Sequence, residues 1–400
     1  MRGPLSEKNI VLGVTGSIAC YKGIDLASKL TQSGAFVEVI MTKSSMRFIS
    51  PLSFKSITHR DVVTDIFDPK SKQAVSHVML AENADAVVVA PATANSIAKI
   101  AYGLSDDALG TTILATKSPV IVAPAMDGNM FNNPATQENI AKLISRGIFV
   151  AGPAEGRLAS GLAGYGRLVE VSDLIEVLSM TIGREGDLKD KNFVVSAGGT
   201  QESIDPVRTI CNRSSGKMGY AVAQAARDRG AIVTLVTGPT SLPNPVGIRT
   251  IKVEDALQMG EVITRECHSA DALVMAAAVA DWRPVQVSTT KMKKNDSANW
   301  SIDLIRNPDI LEGIKEGNII KVGFAAETEN LIENGKSKVK SKGLDFIVAN
   351  DITKPDSGFS VDTNKVVIIH SNGTVEKLPL MQKYEVGNAI LDRVKTGFGS

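Results

Sequence analysis

Residues 10–41 read IVLGVTGSIACYKGIDLASKLTQSGAFVEVIM. An apolar run at 10–14 precedes a Thr-Gly-Ser turn, a helical stretch at 19–32 and a second apolar run at 37–41. This order is typical of a βαβ unit. Because parallel strands need a crossover between them, the pattern predicts a parallel sheet with helices on its faces.

The same order recurs along the chain. In the first half, apolar runs at 86–90 and 120–123 both lead into Ala-Pro-Ala loops. The polar, glycine-containing segment Val177 to Lys191 interrupts the pattern and is predicted to be a linker. The alternation then restarts, with strands predicted at 193–197, 232–236, 272–276, 321–324 and 346–349, and a hairpin at 366–370 and 375–378 around an Asn-Gly turn. We therefore predict an α/β protein of two Rossmann-like, doubly wound parallel-sheet domains, at residues 1–184 and 185–400.

Composition restricts the function classes. The 400 residues include 44 Lys+Arg and 43 Asp+Glu, a net charge of +1, which argues against nucleic acid or a membrane surface as the partner. The longest apolar runs, such as Ala86 to Ala92, are far shorter than the ~20 residues that span a bilayer. The three cysteines, Cys20, Cys211 and Cys267, form no CxxC pair. A reducing cytoplasm is therefore expected.

Small polar loops follow three strands of the first domain. They hold Gly16 and Ser17, then residues 42–45, then Thr93, Asn95 and Ser96. In open α/β sheets ligands bind beyond the carboxyl ends of the strands, and backbone N–H groups at a helix start favour phosphate. The three loops together indicate a phosphate-bearing cofactor. The alternative for Gly16-Ser17 is a tight turn with a serine at the helix N-cap.

His77 is one of four histidines, and a lone histidine is more often structural than catalytic. Its surroundings are more specific: SHVMLAENAD (76–85), VVVAPATANSIAKIAYGLSDD (87–107), VAPAMDGNM (122–130) and GRLASGLAGYGRL (156–168). These motifs resemble the flavin-dependent cysteine decarboxylase family, in particular phosphopantothenoylcysteine decarboxylases, over residues 8–178.

The resemblance implies a flavoprotein fold and FMN-dependent decarboxylation of a cysteinyl substrate. Flavin takes a hydride from the carbon that bears sulfur, the thioaldehyde accepts the electron pair released with CO2, and the hydride returns while an acid supplies a proton. His77 matches the active-site histidine of the family, as a base or an orienting group. The positions that match the FMN site are Gly16, Ser17, Ile18, Thr42, Ser45, Thr93, Asn95, Ser96 and, near the ring, Ala125.

Two positions depart from the family pattern. Asp127 stands where an asparagine is expected to hold the substrate carboxylate, and an aspartate ~4 Å from a carboxylate is opposed by roughly 4 kcal/mol at an effective dielectric near 20. Asp127 would therefore have to be protonated, reoriented or bridged by a basic side chain. Ser160 stands where a cysteine is expected to donate the final proton, and a hydroxyl is a weaker acid than a thiol. We expect decarboxylase activity to be retained. The alternative is a ligase whose N-terminal domain is a flavin-binding oligomerisation or regulatory module.

The second domain has its own phosphate chemistry. SAGGTQE (196–202), DPVR (205–208) and NRSSGKMG (212–219) combine a glycine turn, two serines and a lysine at a helix start. This pattern favours anion binding, although an ordinary helix cap with a solvated lysine is the alternative. The lysines between 336 and 342 fit either a solvated helix face or a triphosphate site.

Together with AAVAD, KMKK, NPDI and GFAAET, these motifs resemble phosphopantothenate–cysteine ligases over about residues 190–395. The resemblance implies Mg2+ and CTP, activation of 4'-phosphopantothenate as an acyl-cytidylate, attack by L-cysteine, and self-association of the chain. It implies that Asn212 holds the acyl intermediate and that Lys291 assists the chemistry. The implied nucleotide contacts are Asp281, Lys291, Pro308, Asp309, Ile310, Leu311, Phe324, Lys338 and Lys342. A dinucleotide-dependent dehydrogenase is disfavoured because the chain lacks GxGxxG with its downstream acid.

Overall fold

The computed structural model describes residues 3–65, 76–157, 161, 163–293, 300–314, 318–327, 330–351 and 361–398, with the backbone alone at 76, 77, 163, 327 and 351. The chain forms two compact units, Met1–Ile182 and Gly183–Ser400. No helix within the described ranges is long and apolar enough to cross a membrane.

The first unit is a parallel sheet covered by helices. Its five strands lie in the order β2-β1-β3-β4-β5, and every neighbouring pair is parallel. The strand order reverses between β1 and β3, which is the switch point at which flavodoxin-like sheets bind their ligands. The elements are β1 (Asn9–Val14), α1 (Cys20–Gln32), β2 (Phe36–Met41), a 3-10 turn (Ser45–Arg47), α2 (Pro51–Thr58), α3 (Ser76–Asn83), β3 (Ala86–Ala92), α4 (Ala94–Tyr102), α5 (Ala108–Ala115), β4 (Val120–Pro124), α6 (Gly128–Asn132), α7 (Pro134–Ser145), β5 (Phe149–Val150), β6 (Ala154–Arg157), β7 (Ala163–Arg167) and α8 (Val171–Gly183).

The βαβ unit predicted at the start of the chain is confirmed. Ile10 of β1 pairs with Val37 on one side and Ala86 on the other, so β1 is central and buried on both faces. Gly34 adopts φ +85 between α1 and β2, a conformation that a residue with a Cβ rarely takes. The fully apolar β3 is the pattern expected of a strand between two helix layers.

The second unit contains a larger sheet of order β12-β11-β8-β13-β16-β17-β19-β20. Its parallel part, in chain order, is 3-2-1-4-5-6, which is the Rossmann order with a switch point between β8 and β13. The predicted hairpin forms the antiparallel edge β19-β20. The elements are β8 (Asn192–Ala197), β9 (Gln201–Ser203), β10 (Thr209–Cys211), α9 (Lys217–Arg227), β11 (Ile232–Thr237), β12 (Arg249–Lys252), α10 (Ala256–Cys267), β13 (Ala272–Met275), β14 (Trp282–Pro284), β15 (Leu304–Arg306), α11 (Ile310–Gly313), β16 (Ile320–Glu327), α12 (Leu331–Lys342), β17 (Phe346–Asp351), β18 (Thr363–Asn364), β19 (Val366–His370), β20 (Val375–Lys377), β21 (Met381–Gln382) and α13 (Lys383–Gly397).

The segment predicted to be a linker, Val177 to Lys191, contains the boundary between the two units, but it is folded and packed, contrary to the prediction. Residues 177–183 complete helix α8, where Leu178 is fully buried. The charged remainder packs on the second unit: Leu188 is fully buried, and Asp187 lies 2.7 Å from Arg229. The polarity of this segment reflects ion pairing with a folded surface, which composition alone does not distinguish from solvation.

Candidate active sites

The loops after β1, β2 and β3 meet at the switch point of the first sheet. The Thr15 hydroxyl is buried, donates to the Pro91 carbonyl at 2.8 Å and accepts from the Thr93 backbone N–H at 3.0 Å. A Cβ on Gly16 would lie 2.5 Å from the Ser44 Cβ, so the first two loops are in direct contact. The structure therefore brings the three predicted flavin loops together.

The residues predicted to bind flavin divide into those that shape the loops and those that are exposed. Thr93 caps helix α4 by accepting from the Ser96 N–H at 3.2 Å, and its hydroxyl lies 3.1 Å from that of Ser96. Ser45 is fully buried and donates to the Thr42 carbonyl at 2.7 Å, so these two residues shape the second loop. Ile18 and Asn95 are the exposed members of the predicted set, and Ile18 is 62% exposed, whereas Ser17 is half-buried.

This edge of the sheet fits a phosphate-bearing flavin. Helix α1 begins at the first loop and has no side chain capping its N-terminus, and such helix starts attract anions. Clustered hydroxyls supply further donors, whereas the exposed Ile18 and the buried Ala125 supply apolar surface. The donor set matches a ligand with a phosphate at one end and a flat ring at the other.

The loop after β4 joins the same edge. The Ala125 N–H donates to the Ala92 carbonyl at 2.9 Å, and the Met126 N–H donates to the Gly166 carbonyl at 2.9 Å. Asp127 caps α6 by accepting from the Asn129 N–H at 2.9 Å. An asparagine can make this cap equally well, so the helix start tolerates either residue.

Two predicted catalytic groups have no described side chain. His77 belongs to helix α3, of which the structure gives the backbone at that position. Ser160 lies outside the described residues. Their roles stay predictions from the sequence.

A cleft of about 690 Å3 lies at the switch point of the second sheet. It gathers the predicted second-domain site residues other than Lys291, namely Asn212, Asp281, Pro308, Asp309, Ile310, Leu311, Phe324, Lys338 and Lys342. Lys291 is exposed and does not line this cleft. Its neighbour Met292 is tied elsewhere, with its N–H donating to Asp205 at 3.2 Å and its carbonyl accepting from Arg208 at 2.6 Å.

Loops after β8 and β13 are bonded together to form one wall. The Ala278 N–H donates to the Gly198 carbonyl at 2.8 Å, and the Ala280 N–H donates to the buried Thr200 hydroxyl at 2.9 Å. The Asn212 side chain donates to the Val279 carbonyl at 2.9 Å. This bond fixes Asn212 against the loop that carries Asp281.

The opposite wall carries an ion pair. The Lys342 amine lies 2.7 Å from a carboxylate oxygen of Asp309, and Asp309 also accepts from the N–H groups of Leu311 and Glu312 at 3.0 and 3.3 Å. Burial raises the pKa of Asp309, but the Lys342 hydrogen bond and charge and the two backbone donors outweigh it, so that the pKa is lowered. Asp309 therefore stays ionised and holds both α11 and Lys342.

Sequence reasoning identified the basic residues of the cleft only in part. Lys217 is predicted only as the lysine of the SSGKMG anion motif, with a solvated lysine as the alternative, and Lys383 opens the last helix, where no motif marks it. Arg213 and Arg306 also line the cleft. Among the side chains that the structure describes, no group of three His, Cys, Asp or Glu could hold a metal ion.

Comparison with known proteins gives matches over both units. Residues 2–183 match the family described as Flavoprotein, and residues 188–398 match the DNA/pantothenate metabolism flavoprotein C-terminal domain. Coenzyme A biosynthesis bifunctional proteins CoaBC from Vibrio vulnificus (strain CMCP6) and Bacillus subtilis (strain 168) are 42% and 43% identical over 399 and 395 residues. These alignments cover 99% of this chain and 99% of the Vibrio protein, and 98% of this chain and 97% of the Bacillus protein.

A crystal structure of the C-terminal domain of a coenzyme A biosynthesis bifunctional protein CoaBC is 37% identical, with a TM-score of 0.46 over 54% of this chain and 98% of that one. The family resemblance inferred from the sequence motifs is confirmed by the full-length relatives and by the two family matches. The chain belongs to the family of coenzyme A biosynthesis bifunctional proteins.

Proposed function

We propose that residues 185–400 join 4'-phosphopantothenate to L-cysteine and that residues 1–184 decarboxylate the product to 4'-phosphopantetheine. Coenzyme A biosynthesis, with ligase and decarboxylase activities in one flavoprotein chain, follows from the family. The observation that carries the assignment of the ligase site is the cleft between β8 and β13, which gathers the predicted nucleotide residues of the second unit other than Lys291.

In the ligase reaction, a carboxylate oxygen of 4'-phosphopantothenate attacks the α-phosphorus of CTP, and pyrophosphate leaves with the electron pair of the broken P–O bond. The cysteine amine then attacks the acyl carbon and CMP leaves. We assign Asn212 to hold the acyl group, since its amide is fixed beside the Asp281 loop. Mg2+ would accompany the nucleotide. We assign contacts with the nucleotide to residues that line the cleft, namely Pro308 to Leu311, Phe324, Lys338 and Lys342.

In the decarboxylase reaction, bound FMN supplies the two-electron oxidation and re-reduction of the cysteinyl carbon that bears sulfur. Gly16, Ser17 and the N-terminus of α1 receive the phosphate, while Thr93 and Ser96 orient the neighbouring loop. His77 acts as base or orienting group, and Ser160 stands at the position of the proton donor. Asp127 caps α6 by accepting from the Asn129 N–H and faces the substrate carboxylate through a bridging basic group.

One experiment tests both reactions. The full-length protein is incubated with phosphopantothenate, cysteine, Mg2+ and either CTP or ATP, and the products are identified by mass. We expect the acyl-cysteine and the decarboxylated thiol, with CTP preferred. Acyl-cysteine without CO2 release would instead identify the first domain as a flavin-binding regulatory or oligomerisation module. Accumulation of the unreduced enethiol would show that Ser160 cannot supply the proton.

A substitution tests the role of Lys291, which lies outside the cleft described above. Lys291→Gln should abolish condensation and leave flavin bound. Ligase turnover equal to that of the wild type would refute the assignment. We also propose that the chain self-associates and that it is located in a reducing cytoplasm. Sedimentation of the purified protein measures its molecular mass in solution and so tests the self-association.

A further inference from the structure

One buried asparagine joins the two walls of the cleft in the second unit. Asn307 is 9% exposed; its side-chain amide donates to the Ala280 carbonyl at 2.8 Å, and its backbone N–H donates to the Asp281 carbonyl at 2.8 Å. These bonds begin where the β14-β15 ribbon ends. Two residues further along the chain, Asp309 holds the opposite wall. Asn307 therefore connects the loop after β13 with the segment that leads into α11.

The orientation of the Asn307 amide is fixed from both sides. The Arg283 guanidinium donates to Asn307 Oδ1 at 2.9 Å and to the Arg306 carbonyl at 3.0 Å. A guanidinium has donors only and the Ala280 carbonyl is an acceptor only, so a reversed amide would set donor against donor and acceptor against acceptor. Buried polar groups that lose their partners are strongly unfavourable. One orientation of the amide therefore prevails, and it keeps the bond to Ala280.

The Ala280 backbone is held at both of its polar groups. Its N–H donates to the buried Thr200 hydroxyl at 2.9 Å, and its carbonyl accepts from Asn307 at 2.8 Å. The next residue, Asp281, is exposed and lines the cleft, as do residues 308–311 after Asn307. Asn307 thereby sets the spacing between Asp281 and residues 308–311, both of which are predicted to contact the nucleotide.

We propose that Asn307 is a positioning residue that selects the nucleobase in the ligase reaction. This inference rests on the proposed ligase function. Cytosine has one ring and adenine has two, so a gap with fixed walls admits the first and clashes with the second, whereas a gap whose walls separate admits both. Without the amide bond to Ala280, Asp281 and residues 308–311 can move apart. The Asn307 amide therefore maintains the preference for CTP over ATP by holding the walls together.

The test measures ligation by the full-length protein with CTP and with ATP. Asn307→Asp places a carboxylate oxygen against the Ala280 carbonyl and keeps an acceptor for Arg283. The ratio of kcat/KM for CTP to kcat/KM for ATP should fall at least tenfold, mainly because the KM for CTP rises. The KM for phosphopantothenate should stay within about twofold of the wild type. Arg283→Met keeps the bond to Ala280 but frees the other side of the amide, so the ratio should fall about threefold.

Tyr384→Phe is the control for a loss of stability alone. The Tyr384 hydroxyl donates to Asp228 at 2.9 Å, which joins α13 to the end of α9, and Tyr384 lies outside the described lining of the cleft. This variant should unfold at a lower temperature and keep the ratio of the wild type. A ratio that falls as much in Tyr384→Phe as in Asn307→Asp would overturn the inference, because the effect would then follow stability.

Other outcomes also overturn the inference. They are an unchanged ratio in a folded Asn307→Asp variant, an equal rise in the KM for CTP and for phosphopantothenate, and a wild type that uses CTP and ATP equally well. If Asn307→Asp fails to fold, Arg283→Met decides, because its side chain is only partly buried, and an unchanged ratio there overturns the inference. A wild type that ligates with CTP, with variants that keep its ratio, refutes the inference alone. A wild type that ligates with neither nucleotide refutes the proposed function as well.

Discussion

Asp309 makes the sharpest test of how the cleft is held together, because one carboxylate caps α11 and pairs with Lys342. Asp309→Ala removes both interactions. The cap contributes ~1 kcal/mol, and the ion pair, whose side chains are 30% and 29% exposed, contributes about 1 kcal/mol. The second domain should therefore lose about 2 kcal/mol of stability. Asp309→Asn keeps the cap and should lose about half as much.

We expect the nucleotide affinity to depend on the cap of α11 and not on the charge of the Asp309 side chain. Because α11 carries the predicted contacts Ile310 and Leu311, Asp309→Ala should weaken CTP roughly tenfold, whereas Asp309→Asn should stay within about threefold. Calorimetry measures the affinity, and tryptophan fluorescence measures unfolding of the second domain, since both tryptophans, Trp282 and Trp300, belong to it. Asp255→Ala is the control: Asp255 caps α10 by accepting from the Gln258 N–H at 2.8 Å, outside the cleft. It should lower stability without changing CTP affinity. If Asp309→Asn binds CTP as weakly as Asp309→Ala does, the reasoning is refuted, because the charge of Asp309 would then be the essential feature.

Three further predictions concern other parts of the chain. A Cβ on Gly166, at φ +142, would lie 2.2 Å from the Met126 carbonyl, so Gly166→Ala should lower the decarboxylation rate more than tenfold and leave ligase turnover within twofold. Gly164→Ala is the control, because no described atom lies within 4 Å of the added Cβ, and equal decarboxylation rates for the two variants would contradict the prediction. Lys22→Met removes the amine that lies 3.2 Å from the Leu168 carbonyl and should destabilise the first domain by ~1–2 kcal/mol, measured as flavin release at a lower temperature. Glu170→Gln should have a smaller effect, because the Glu170 side chain is half-exposed and its position also contacts Arg167. An equal effect of the two substitutions would contradict the prediction. The Arg229 hydrogen bond lowers the pKa of Asp187 from 3.8 to about 2, so the stabilising effect of the Asp187 charge is present above pH 4 and is lost as the pH falls towards 2. The difference in thermal midpoint between the wild type and Asp187→Asn should therefore shrink over that range. A constant difference would refute the role of the Asp187 charge.

The central strands of both sheets were predictable because their burial leaves a direct mark on the sequence. Strands that are covered on both faces need continuous apolar runs, and 86–90 and 193–197 lie within β3 and β8. The strand ends were less accurate: β16 extends from Ile320 to Glu327, beyond the strand predicted at 321–324, because pairing with β17 continues through Ala325 and Ala326 to Glu327. The short pairs β6-β7, β9-β10 and β14-β15 left no signal, since two-stranded ribbons outside the main sheets need no apolar face.

Predictability of the cleft depended on whether a residue belongs to a strand-end loop or reaches the cleft from elsewhere. Asn212 and Asp281 lie in the segments that follow β8 and β13, and Phe324 lies in the second half of β16. The carboxyl edge of a parallel sheet gathers such positions whatever the details of the loops. Lys383 reaches the same cleft from the last helix, whose place is set by packing of its apolar face on α9, where Gly387 lies against the Ala221 backbone. That contact joins segments far apart in the chain, so no local pattern could have predicted it.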